Sequence, residues 1–472
     1  MQINKSMFER EEYLIRRKRL RELLSNGLIL FLGNEESGIN FEHNTYPYRQ
    51  DSTFIYFFGL QIPGLQAVMD LEEDKEIVFG DNPSIDDIVF TGPLESLEEQ
   101  AYKIGVTIVN PTNSLENYIG NAIAKGRQIH YLPPYRPEHI LKLSELLDLS
   151  TPEVPKKVST NLIKAVVQLR SIKSSAEIVE IERAVNTTVE MQFRAMEMAQ
   201  VGMTEADLFG AVQNIAMANG NNTSFPSIVT INGQILHNHF RGNLLKAGDL
   251  VLCDCGAENY SGYAGDLTRT FPVNNTFSLK QREIYDIVYR SYQRAVGMLK
   301  PQELFREVHY AACKEIILGL TEVGLMKGDP DKAVEAGAHT LFFQCGLGHM
   351  MGLDVHDMEN LGEQYVGYTD EIRQSKEFGF KSLRMGRALE EGMVLTIEPG
   401  IYFIPELIAL RKSENKYVEY VNYDKLGEYN DFGGIRLEDD FLITQNGSRL
   451  LGAKLPTSSL EIENFRTSKT PL

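Results

Sequence analysis

The chain has 472 residues, 43% hydrophobic and 24% charged, the balance of a globular protein long enough for two domains with full cores. Its formal net charge of −18 excludes a nucleic-acid binder that works by neutralising phosphates, and no apolar run nears the roughly 18 residues that a membrane helix needs. Four cysteines in so long a chain do not make a disulfide framework, and the first twenty residues hold no apolar stretch for a signal peptide or anchor, so a reduced, cytoplasmic protein is expected.

In chain order, Arg16, Arg17, Lys18, Arg19 and Arg21 lie among Leu14, Ile15, Leu20, Leu23 and Leu24 at helical spacing and read as a solvated helix face. Short β-rich runs at 27–32, 67–71 and 76–80 alternate with helical stretches, the pattern of an α/β domain. Breakers concentrate at 150–155, which places a boundary there: a first domain over 1–155 and a second over 156–472.

Beyond the boundary, Ser174-x-x-Glu177 is a capping box that opens a long helix ending near Gly202, and Thr204-x-x-Asp207 opens a second helix ending at Gly220. Strands are expected over 227–239 and 250–273. Ser278-x-x-Gln281 opens the next helix, Pro301 breaks it, and another follows over about 302–325. This order, helix pair then strands and again helix pair then strands, predicts an α+β architecture of two related halves around one curved sheet. The long polar connections at 357–392 and 404–432 read as surface insertions or rims of a cleft.

Residues two apart in a strand share a face, so Asp254 opposes Val251 and Cys253, while Asp266, Thr268 and Thr270 oppose Leu267 and Phe271. Thr396 and Glu398 oppose Leu395 and Ile397; Arg436 and Glu438 oppose Ile435 and Leu437. A polar face turned to water explains any one such strand. Four strands whose polar positions repeat as Asp or Glu, with His349 and His356 between them, point instead to one shared metal site, because a buried carboxylate costs several kcal/mol unless a cation compensates it. Oxygen-rich ligation with one imidazole fits two divalent ions, Mn²⁺ above Co²⁺, Fe²⁺ or Zn²⁺, and such a pair is the equipment of a hydrolase.

Other motifs read less specifically. Gly346-x-Gly348-x-x-x-Gly352 lacks dinucleotide spacing, His237-x-His239 could ligate metal but reads more readily as satisfied strand histidines, and no nucleophile elbow is present.

Asp254-Cys-Gly, the run 264–271 (AGDLTRTF), the run 346–357 (GLGHMMGLDVHD), the run 398–402 (EPGIY) and the run 434–439 (GIRLED) resemble, in order, the pita-bread metallopeptidases, and within them aminopeptidase P, the Xaa-Pro aminopeptidases. The run 46–59 (YPYRQDSTFIYFFG) resembles the amino-terminal domain of the same family, which methionine aminopeptidases lack. The resemblance implies a pita-bread catalytic domain that removes the first residue from peptides with proline second. It implies metal ligation by Asp254, Asp266, His349, Glu398 and Glu438, with Glu398 also the proton shuttle. It further implies that His237 and His356 contact the scissile peptide, that Arg436 and Tyr402 are supporting polar residues, and that Cys345 lies in the proline-side pocket where a histidine is common. A homodimer or homotetramer is implied as well.

Asp254 and Asp266 stand 12 apart, 266 − 254, one residue beyond the usual family hairpin, and an extra residue near Asn259 is expected to be absorbed in the turn. A prolidase, which cuts only Xaa-Pro dipeptides, is the first alternative, and a non-catalytic peptide-binding protein on the same fold the second. A pure scaffold, however, gains nothing from burying four carboxylates.

Overall fold

A computed structural model describes residues 8–219 and 222–469, and among them it divides into two compact units. The first runs to Arg170 and takes in Met358–Tyr365; the second comprises Ser171–Asp357 and the chain from Val366 onward.

In the first unit, helices α1 (Arg10–Leu23), α2 (Ser52–Phe58), α3 (Ile85–Thr91), α4 (Leu97–Lys103), α5 (Leu115–Ala124), α6 (Pro137–Leu147) and α7 (Thr160–Ser171) accompany strands β1 (Leu28–Leu32), β2 (Gln66–Asp70), β3 (Lys75–Phe79), β4 (Ile108–Asn110) and β5 (Ile129–His130). The strands form one mixed sheet in the order β4-β3-β2-β1-β5, antiparallel at its centre and parallel at both outer pairs. Leu28, Leu30, Val68, Ile77 and Phe79 alternate along the strands onto one face, where Leu115, Ile119 and Leu143 of the helices close over them.

Two expectations change here. Lys18 and Arg19 are exposed, but Arg16 and Arg17 are buried, against the solvated face expected of the whole cluster. Arg16 donates to Tyr56 O at 2.9 Å, and Arg17 donates to Phe57 O at 2.8 Å, to Ile104 O at 2.7 Å and to Glu76 at 2.7 Å. These carbonyls end α2 and cap α4, so the two guanidinium groups satisfy orphan acceptors at helix C-termini. The first unit also extends past 155. Val154 is part of its core and accepts from Tyr131 Oη at 2.8 Å, and Arg170 donates to Thr53 Oγ1 at 2.9 Å. The Pro-rich stretch is therefore a packed turn.

In the second unit, α8 (Ser175–Met198) and α9 (Glu205–Ala218) precede β6 (Ile228–Thr230), β7 (Leu250–Cys255) and β8 (Leu267–Pro272). Then come α10 (Leu279–Val296), α11 (Phe305–Glu322) and α12 (Pro330–Glu335); α13 (Glu363–Val366) begins in the stretch that belongs to the first unit. They are followed by β9 (Val394–Ile397), β10 (Gly400–Tyr402), α14 (Pro405–Ser413), α15 (Tyr423–Leu426), β11 (Gly434–Arg436), β12 (Asp439–Thr444), β13 (Gly447–Leu450) and α16 (Ser459–Lys469). The capping boxes at Ser174, Thr204 and Ser278 all form. α9 runs to Ala218; its expected end, Gly220, lies outside the described residues.

The one curved sheet is realised as three short ladders, β6-β7-β8, β13-β12-β9 and β10-β11, with Thr268 and Glu438 bridging between them. The strand expected over 227–239 shrinks to β6 because Glu205 accepts from Thr230 Oγ1 at 3.0 Å and from the Ile231 amide at 2.8 Å, which turns the chain away from β7. Helix α8 lies against β7 and β8, where its buried Gln192 donates to Cys253 O and, at 2.6 Å, to Leu267 O. The approach is so close at Gly265 that a Cβ there would stand 2.9 Å from the Val185 backbone.

Candidate metal centre

The strand framework brings all five expected ligands to one place, though not with all four carboxylates inside strands. Asp254 lies within β7 opposite Thr268, while Asp266 stands one residue before β8, Glu398 one residue after β9, and Glu438 in the break between β11 and β12. Each carboxylate is thus presented near a point where a ladder stops. The 12-residue spacing is accommodated in the β7–β8 turn, where Asn259 Oδ1 accepts from the Ser261 and Tyr263 amides and Asn259 Nδ2 donates to Glu180 O at 2.9 Å.

Ligand atoms of Asp266, His349 and Glu438 all lie within 4.8 Å of one another, and all three residues are buried. His349 Nε2 is 3.4 Å from Asp266 and 3.7 Å from Glu398, and its Nδ1 is 3.0 Å from Met350 O. A proton on Nδ1, donated to that carbonyl, leaves the Nε2 lone pair facing the carboxylates, as a metal-ligating imidazole requires. Asp254 Oδ2 pairs with Arg436, whereas Asp254 Oδ1 and Asp266 Oδ1 are buried with no hydrogen-bond partner. Burial pushes the Asp266, Glu438 and Glu398 carboxyls up, Glu398 to about 7; the neighbouring carboxylates reinforce the rise, and His349 and Arg436 pull Glu398 back. Orphaned oxygens and mutually repelling carboxylates are what divalent cations would relieve, so the donor set fits them.

The five expected ligands line a cavity of about 370 Å³ together with Phe225, Leu236, His237, His239, Cys345, His356 and Arg436. His356 stacks edge-on against His349, centroids 4.3 Å apart. Burial lowers the His237 pKa, with Arg436 adding to the effect, which keeps that imidazole neutral. Cys345 reaches the cavity, its thiol 3.9 Å from Tyr402 Oη and held protonated by burial at about 12. Tyr402 is not among the lining side chains: it is fully buried, and its hydroxyl accepts from Arg436 Nη1 at 3.0 Å, so it supports Arg436 from behind.

Further groups hold the ligands. Thr268 donates to Glu438 at 2.7 Å and accepts from Arg436 Nε at 3.2 Å; Arg269 donates to Glu438 O at 2.8 Å; Asp440 accepts from the Asp266 amide at 3.1 Å. Strand parity places Thr268 and Asp440, which pairs with Thr396, on the carboxylate face, but Arg269 points to the other side and acts through the Glu438 backbone, which no alternation pattern announces.

Residues 179–445 match the family model of metallopeptidase family M24, and residues 13–130 match that of the aminopeptidase P N-terminal domain. The Xaa-Pro aminopeptidase of Escherichia coli (strain K12) is 30% identical over 97% of this chain and 98% of its own length, and the Xaa-Pro dipeptidase of Homo sapiens is 28% identical over 96% and 92%. The solved structure of zinc-substituted E. coli aminopeptidase P in complex with product superposes with a TM-score of 0.80 at 29% identity, covering 98% of this chain and all of the other.

Proposed function

Because the chain belongs to metallopeptidase family M24 and carries an aminopeptidase P N-terminal domain, we propose that it is an Xaa-Pro aminopeptidase, a metal-dependent hydrolase that releases the first residue from peptides with proline second. The observation that carries this reading is the convergence of Asp266, His349 and Glu438 within 4.8 Å beside the orphaned oxygens of Asp254 and Asp266. Asp254, Asp266, His349, Glu398 and Glu438 would hold two divalent ions, Mn²⁺ foremost for so carboxylate-rich a set, and the ions supply Lewis acidity toward a water and a carbonyl oxygen.

The chain's own residues do the rest. Glu398 is the ligand carboxylate with the most exposed side chain, 19% against 6% for Asp266, which suits it to take a proton from the attacking water and return it to the departing nitrogen. That nitrogen needs the proton, since it leaves as the amine of a proline that had no N–H. His237 and His356, on the cavity wall, donate to the carbonyl oxygen as negative charge develops there. Arg436 keeps Asp254 oriented, and Cys345 forms part of the wall that receives the proline ring.

Four free cysteines support a reducing, cytoplasmic compartment, and among the described residues no helix is long and apolar enough to cross a membrane. Exposed Ile85, Val89 and Phe90 on α3 support association into a homodimer or homotetramer, which sedimentation checks.

Metal-loaded protein should cleave Xaa-Pro-Yaa peptides, lose that activity on chelation and regain it with Mn²⁺. Intact tripeptide after loading with two equivalents would count against the reading. The similarity to a human Xaa-Pro dipeptidase favours one second reading, and cleavage of an Xaa-Pro dipeptide with the tripeptide spared would select it.

A further inference from the structure

A second set of metal-capable side chains lies away from the carboxylates. His309 and Cys313 are four apart on α11, hence on one helix face, and His339 comes from the 3₁₀ turn Ala338–Leu341 packed against that helix. Ligand atoms of the three lie within 4.8 Å of one another. Cys313 Sγ is 3.5 Å from His309 Nε2, and the two imidazole rings are 6.1 Å apart.

All three are about 1% exposed or less, and His339 Nδ1 is buried with no hydrogen-bond partner. The neighbouring rings are Tyr310 and Phe343, each 5.7 Å from His309, and Phe380, 5.2 Å from His339, and no hydrogen bond joins any of them to the two imidazoles among the described residues. Burial lowers the pKa of His309 to about 4 and that of His339 to about 3, so both imidazoles are neutral at neutral pH and keep a lone pair. The same burial raises the Cys313 thiol, and a bound cation is what would make its thiolate tolerable there.

We propose that His309, Cys313 and His339 form a second, buried three-donor site for a thiophilic transition-metal ion of the Zn²⁺ class, separate from the carboxylate centre and structural in role. Two imidazoles and a thiolate are softer donors than the carboxylates of the catalytic cavity, so the two sites sort metals by chemistry. The ion would pin the turn at 338–341 to α11. That turn leads into the segment that accepts from the Tyr402 amide at Phe342 O and from the Glu398 amide at Leu347 O, both at 2.8 Å, and so it steadies the approach to His349.

Cobalt distinguishes the sites, because the five catalytic donors include no sulfur and a thiolate ligand gives a charge-transfer band that carboxylates do not. Protein stripped by chelation and titrated with Co²⁺ should take up a third equivalent, and the thiolate-to-cobalt band should appear with it. The band should persist in Cys345→Ser, whose thiol lines the other cavity, and vanish in Cys313→Ala and His339→Phe. Those two variants should keep two equivalents and Xaa-Pro-Yaa cleavage. Saturation of the wild-type chain at two equivalents without the band would overturn the proposal whether or not the variants fold, as would a band that survives Cys313→Ala.

Discussion

At the residue scale, the centre is a set of groups each costly alone. Replacing Glu398 by Ala removes the cavity carboxylate proposed as both ligand and proton carrier, so turnover should fall by about 10²-fold or more and one of two metal equivalents should weaken, as activity and metal analysis would read. Cys345→Ala or Cys345→His, by contrast, should leave metal content unchanged and alter only the turnover of Xaa-Pro substrates, because the thiol touches Tyr402 and not the carboxylates. Equal metal loss in the Glu398 and Cys345 variants would contradict that division of roles. Sequence alternation singled out Asp254, Asp266, Glu398 and Glu438, the acids that line the cavity, since burying an acid on an otherwise apolar strand has few explanations. It could not find Arg269, whose guanidinium holds Glu438 through a backbone carbonyl from the opposite side.

At the scale of elements, close approach of backbones sets the positions. A Cβ on Gly348 would lie 2.0 Å from Thr396 O of β9, the strand whose Thr396 amide donates to His349 O at 3.0 Å. Gly348→Ala should therefore push His349 away from Asp266, lowering metal affinity and destabilising the fold by roughly 2 kcal/mol or more, measurable by urea denaturation with and without Mn²⁺. In the first unit, Arg17→Met should cost about 3 kcal/mol, because it strands Phe57 O and Ile104 O in a buried place and leaves Glu76 to Arg21 alone. A surface arginine would give a change within about 0.5 kcal/mol, and that result would return Arg17 to the solvated face that helical spacing alone implied. The spacing was read correctly as a helix; which charges turn inward depended on where the ends of α2 and α4 fell.

For the whole molecule, acid and chelation act on different parts. Asp70 in the first unit is fully buried, and although burial opposes its charge, hydrogen bonds from Arg127, the Glu73 amide and Tyr118 hold its carboxyl down at about 2, below the ordinary 3.8. A depressed carboxyl stabilises the fold above its unfolded pKa and loses that contribution as pH falls, here roughly 2 kcal/mol between about pH 4 and pH 2. Asp70→Asn should flatten that part of the acid-denaturation curve; an unchanged curve would mean the pair contributes nothing. Chelation should lower the thermal midpoint near neutral pH, since Asp254, Asp266, Glu398 and Glu438 then repel one another without a compensating charge. The sequence alone determined the α+β class and the helix starts at Ser174, Thr204 and Ser278, and it singled out the four acids that meet in one cavity, because capping and strand alternation are local rules written in neighbouring residues. The tertiary structure decided that β6 stops at Thr230, that the first unit runs on to Arg170, that Tyr402 stands behind Arg436, and that His309, Cys313 and His339 meet. Each of those depends on a partner brought from far along the chain, Glu205 for β6 and the 338–341 turn for the imidazoles, and local periodicity carries no information about such encounters.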